Sequence, residues 1–160
     1  MSIVLSGTII SFGLSSLLLA QAQQPKVSNT QVAAMVEALR QSAPKSGANS
    51  RYYSDWQVKP ETIKLWTKFC LKKELTPKEF TSNPATAREV VSCIIRRELD
   101  KQFRAIPNNE TAAINSVSCW WMTGKYTGCN SGFTADFVKQ VADNYQKALK
   151  STPSRPRSTR

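Results

Sequence analysis

The stretch S82-NPATAREVVSCIIRRELDKQ-F103, running from Ser82 to Phe103, decides the fold class. Asn83 is a good N-cap, and Pro84 suits the first helical position, where no amide hydrogen is needed. Ala87, Val90, Val91, Ile94 and Ile95 then recur at helical spacing, and the apolar face drifts through Leu99 to Phe103. A run of that length and period is a long amphipathic helix.

The same period extends outward in both directions. Toward the N-terminus, Pro60 opens a second helix in which Ile63, Trp66 and Cys70 share one face, with Leu65 and Phe69 widening it. Thr76 and Glu79 have capping-box spacing around Pro77, which predicts a short helical turn. Earlier still, Val32, Met35, Val36 and Leu39 line up behind the cap candidates Ser28 to Thr30, and Pro44 ends the run. The long connection from Lys45 to Val58 carries Tyr52, Tyr53 and Trp56, expected to lie across the domain and pin it.

Toward the C-terminus, Ile114, Val117 and Trp121 mark another helix that stops at Gly124. Thr134 is the expected cap of the last one, whose stripe is Phe137, Val138, Val141, Tyr145 and Leu149. No period-2 run of any length appears. The reading is therefore an all-α domain of about five helices plus a turn.

Its organisation follows from the ends. Residues 1–22 hold an uncharged apolar run closing on Ala20-Gln21-Ala22, the small-residue pattern of a secretory signal cleaved near Ala22. Residues 23–150 form the helical domain. Residues 151–160, rich in Ser, Pro and Arg, are expected to be a disordered basic tail. The expected location is accordingly secreted or periplasmic.

An exported chain with four cysteines reads as two disulfides. Gly124 and Gly128 let the chain turn back between Cys119 and Cys129, which favours that pair and leaves Cys70–Cys93. On a chain-entropy argument each closure stabilises by about 3 kcal/mol. The absence of a C-x-x-C pair argues against a four-thiolate zinc site.

Composition limits the chemistry. The formal net charge is +11 and there is no histidine. Histidine-based nucleophile systems and histidine-containing metal sites are therefore excluded, and no metal or cofactor is expected. About five of the positive charges lie from Lys147 to Arg160, which leaves the folded part basic in its own right.

Anion-binding candidates are Lys64, Lys68 and Lys72, spaced along one helical face, with Lys73 beside them and Arg155, Arg157 and Arg160 in the tail. Trp120, Lys125 and Tyr126 are ligand-stacking candidates, because an aromatic ring beside a cation suits a glycan or a lipid headgroup. Trp121 shares the core face, and Trp120 points about 100° away from it.

Glu98 is the one catalytic candidate. It falls on the buried arc between Val91 and Ile94, where a charge needs a partner, and Lys101 at i+3 is the expected one.

These features favour a non-enzymatic exported binding or accessory protein engaging an anionic partner. That partner is an envelope polymer, a membrane surface contacted peripherally, or an acidic protein; the charge also allows nucleic acid, which is not favoured. A carboxylate-dependent hydrolase of envelope glycan using Glu98, and a small immunity or inhibitor protein with one cognate partner, are the alternatives.

Overall fold

A computed structural model describes residues 27–45 and 51–151. The described residues form six helices and no strand: α1 Asn29–Ser42, α2 Pro60–Leu71, α3 Pro77–Ser82, α4 Pro84–Ala105, α5 Glu110–Thr123 and α6 Gly132–Ser151. The turn expected at Thr76 is α3. The expected signal at residues 1–22 and the tail arginines Arg155, Arg157 and Arg160 lie outside the described residues.

The start signals work as the side chains dictate. Ser28 Oγ accepts from the Gln31 amide at 3.1 Å, and Gln31 Oε1 accepts from the Ser28 amide at 2.9 Å. Thr76 and Glu79 form the same reciprocal box on α3. Asn83 and Asn109 cap α4 and α5 by accepting from Thr86 and Ala112, each at 3.0 Å. Gly124 stops α5 at φ 77, a left-handed value that costs a residue without a Cβ nothing. One boundary differs from the sequence expectation. Helix α6 begins at Gly132, and Thr134 Oγ1 donates back to the Ser131 carbonyl instead of capping.

Helix α4 is the hub, packing against α1, α2, α3 and α5, while α6 closes the assembly against α1 and α5. The 22-residue α4 can serve several neighbours because its buried positions cover a wide arc: Ala87, Val90, Val91, Ile94, Ile95, Glu98, Leu99, Gln102 and Phe103. Met35, Val36 and Leu39 of α1, Ile114 and Val117 of α5, and Val141 and Tyr145 of α6 complete the core. Buried Tyr145 donates its hydroxyl to Glu110 at the start of α5. Burial, reinforced by that carboxylate, holds the phenol well above its ordinary pKa.

The segment 51–58 is pinned chiefly by Trp56, which is buried and donates Nε1–H to the Val36 carbonyl at 2.8 Å. Tyr53 packs at the core edge and pairs with Val58 in an isolated antiparallel bridge. Tyr52, expected to pack with them, is exposed instead, because the bridge fixes the alternation of side chains and sends it outward.

Both disulfides pair as the sequence favours. Cys70–Cys93 joins α2 to α4 and Cys119–Cys129 joins α5 to the loop before α6, with Cα separations of 6.1 and 5.8 Å. Two such bonds are compatible with an extracytoplasmic protein.

Helix α2 departs from its expected orientation. Ile63 and Thr67 are its buried residues, with Trp66 and Cys70 at the margin, while Leu65 is 68% exposed and Phe69 48% exposed. At ~100° per residue, Leu65 lies about 160° and Phe69 about 120° around the helix from Ile63. Neither can widen a face centred on Ile63. Thr67 replaces them by satisfying its hydroxyl internally: Oγ1 donates to the Ile63 carbonyl at 2.8 Å and accepts from the Leu75 amide at 3.0 Å.

Candidate functional site

Three elements bring their chemistry to one side of the molecule: α2, the middle of α4, and the end of α5 with the loop after it. Glu98 is the anchor of this region. It is 4% exposed, and both of its oxygens are engaged. Arg97 grips Oε1 through Nη2 at 2.6 Å and Nε at 2.7 Å, and Tyr126 donates its hydroxyl to Oε2.

The expected pairing with Lys101 is therefore not the one that forms. Side chains at i and i+1 do not ordinarily face each other on a helix, but the long Arg97 fork folds back onto its neighbour. Lys101 instead places Nζ 4.6 Å from the centre of the Tyr126 ring. Burial and the hydrogen bond to Glu98 hold the Tyr126 phenol above its ordinary pKa, so it stays a donor at neutral pH.

Tyr126 begins an aromatic series. Its ring lies near-parallel to Trp120, with centroids 6.4 Å apart, and Trp120 in turn stacks near-parallel to Trp66 of α2 at 6.3 Å. Trp121 closes on Trp66 at 5.2 Å in a tilted arrangement. Trp120 and Trp121 are both half-buried. The split in direction expected from helical phasing is present, since Trp121 packs against the core and Trp120 sits at its rim. The partners stacked on Trp120 here are protein rings.

On the α2 side, exposed Phe69 is the focus. The Arg97 guanidinium lies 4.9 Å and the Lys72 ammonium 5.6 Å from its ring centre. Arg97 thus serves two roles at once, closing the charge of Glu98 and presenting a cation over Phe69. The result is an alternating strip in which Lys72, Phe69, Arg97, Tyr126 and Lys101 follow one another across α2, α4 and the α5–α6 loop.

The sequence candidates distribute around this strip. Lys64, Lys68, Lys72, Lys73 and Lys125 are all exposed. Lys68 is paired with Glu74 at 3.2 Å. Lys72 sits one residue past α2 in a left-handed conformation, φ 61, from which Nζ also donates to the Phe69 carbonyl at 3.0 Å. The basic stripe therefore bends at its end toward Phe69 instead of continuing straight.

The sequence reading assigns Leu65, Phe69 and Trp66 to the core face and Lys101 to a pair with Glu98, and it names none of them, nor Arg97, as a binding residue. For Leu65 and Phe69 the signal existed, since phase alone places them away from Ile63. For Arg97 and Lys101 only the tertiary approach of Phe69 and Tyr126 distinguishes them from other surface cations.

A separate depression lies at the N-terminal end of α4, lined by Tyr52, Asp55, Gln57, Thr81 and Pro84. No helix among the described residues is long and apolar enough to cross a membrane. Comparison with known proteins adds no relative: no family model, no curated protein and no solved structure matches this chain.

Proposed function

We propose that this is an exported, non-enzymatic binding protein that engages an anionic partner through the cation–aromatic strip of α2, α4 and the α5–α6 loop. The observation that carries the reading is the exposure of Phe69 and Leu65 among Lys64, Lys68, Lys72 and Arg97. A merely solvated helix face has no need of two large apolar side chains at its centre. Cations held over rings bring positive charge to a surface that also offers apolar contact.

The state of Glu98 favours binding over hydrolysis. A general acid must present a proton to a leaving group, whereas both Glu98 oxygens are turned to Arg97 and Tyr126. The carboxylate is placed to orient Arg97, and through it the strip.

The test is binding of the exported, disulfide-bonded protein to an acidic polymer such as heparin over a salt series. Affinity should fall steeply as salt rises, and Lys64→Gln with Lys72→Gln should lower the salt slope by about one per contacting cation removed. Indifference to the polymer at low salt would overturn the reading.

A further inference from the structure

We infer that the outer face of α2 is a docking surface for an anionic phospholipid bilayer, with Leu65 and Phe69 as the side chains that enter it. The inference rests on the proposed anion-binding reading and narrows its partner to one chemistry.

Leu65 and Phe69 are at i and i+4, so they stand side by side on the same line of the helix. Both project from the molecule, and both lie opposite the face that holds α2 to the core. A polyanion in water gives such side chains little reason to be exposed together, because it offers charge but no apolar interior. A bilayer surface offers both, in layers.

The surrounding groups match that layering. Lys64 and Lys68 flank the pair along the helix, and Arg97 and Lys72 lie against Phe69 at the level of its ring. Long basic side chains run along apolar surface while keeping their charge at the headgroup level. Half-buried Trp66 and Trp120 lie just behind, the aromatic type that prefers the water–lipid boundary. Two acidic residues are near: Glu61 at the helix start, where the dipole favours it, and Glu74 just past the helix, which pairs with Lys68 and leaves Lys64, Lys72 and Arg97 as the cations facing a bilayer.

Cys70–Cys93 ties this helix to α4 from the opposite face. The surface is thus rigidly presented without using Leu65 or Phe69 for folding. Their replacement is accordingly a test of docking and not of stability.

The experiment compares the exported, disulfide-bonded protein with the double variant Leu65→Ser, Phe69→Ser and with Leu65→Ser alone. Each is assayed by flotation with vesicles of phosphatidylcholine mixed with phosphatidylglycerol, with pure phosphatidylcholine vesicles, and on heparin. The expected result is binding of the parent to the anionic vesicles in preference to the neutral ones. The double variant should bind them at least about tenfold more weakly, and the single variant should fall between. Thermal midpoints should stay within error of the parent, and heparin affinity should fall by much less than vesicle binding, because the cations that contact a polyanion are retained.

Equal vesicle binding by parent and double variant overturns the inference, and so does failure of the parent to prefer anionic vesicles. If heparin binding persists in either case, the broader anion-binding reading survives. Loss of both vesicle and heparin binding by the parent overturns both.

Discussion

Glu98 is the residue whose environment most changes what its position means. On the sequence it is a charge on the buried arc of a long helix, which is compatible with catalysis or with an ion pair. In the fold it is a fully engaged structural carboxylate, and its neighbours divide its two oxygens between them. Glu98→Gln should therefore destabilise the protein by about 1–3 kcal/mol, since hydrogen bonds to a charged, buried acceptor are stronger than neutral ones. Combined with Tyr126→Phe, the loss should be less than additive, with a coupling of about 1–2 kcal/mol measured by urea unfolding. Strict additivity would show that the Tyr126 hydroxyl does not depend on the Glu98 charge. The neighbour that sequence spacing favours, Lys101, enters this cycle through Tyr126, on whose ring its ammonium rests, and not through a direct ion pair with the carboxylate.

At the scale of elements, α2 has the fewest buried residues of the helices longer than two turns. Ile63 and Thr67 are its only buried residues, and its further attachments include the Trp66 contacts, half-buried Leu71, the Arg97 guanidinium over Phe69 and the bond from Cys70 to Cys93. Replacing both cysteines by serine should cost about 3 kcal/mol, from the closed loop of the unfolded chain. The effect should also be local. Amide exchange should accelerate across residues 60–71 before it does in α1 or α6, which hold each other through an extended apolar contact. Uniform acceleration in all helices would mean that α2 opens only with the whole domain. The capping boxes of α1 and α3 and the Asn caps of α4 and α5 were legible from residue type and spacing, because a cap is a local reaction between a side chain and an amide three residues on. The start of α6 was not, since its first turn forms two residues before Thr134, whose hydroxyl donates to Ser131 instead of capping.

For the molecule as a whole, charge governs behaviour with pH. The chain is already at +11, and protonating its eleven carboxylates only adds to that repulsion. Part of the acid sensitivity has an identifiable origin in Glu37 of α1. Hydrogen bonding from Arg40, against the opposing cost of burial and with help from Gln41 and Arg88, holds its carboxyl at about 2, below an ordinary value of 4.5. Arg88 belongs to α4, so this cluster also ties two helices together at 3.2 Å. Because the folded-state pKa is the lower one, the stabilisation is complete above about pH 4.5 and is lost as pH falls toward 2. Its size is on the order of 1 kcal/mol once solvent screening of the exposed arginines is allowed for. Glu37→Gln should therefore be less stable than the parent at pH 6 by that amount. The two unfolding curves should converge near pH 2, and a constant gap across the range would contradict the assignment.

What the sequence by itself determined was whatever depends on near neighbours along the chain. Helical period, caps, the stop at Gly124, the turning capacity between Cys119 and Cys129, and the overall basic charge are all of this kind. Elimination then paired Cys70 with Cys93. The tertiary structure alone decided which side of each helix meets which neighbour. It turned Thr67 inward and left Leu65 and Phe69 in solvent, exchanged Lys101 for Arg97 and Tyr126 as partners of Glu98, and assembled a cation–aromatic strip from residues far apart in the chain. The physical reason is that period fixes angles around one helix axis, whereas contacts between helices depend on how several axes lie relative to one another.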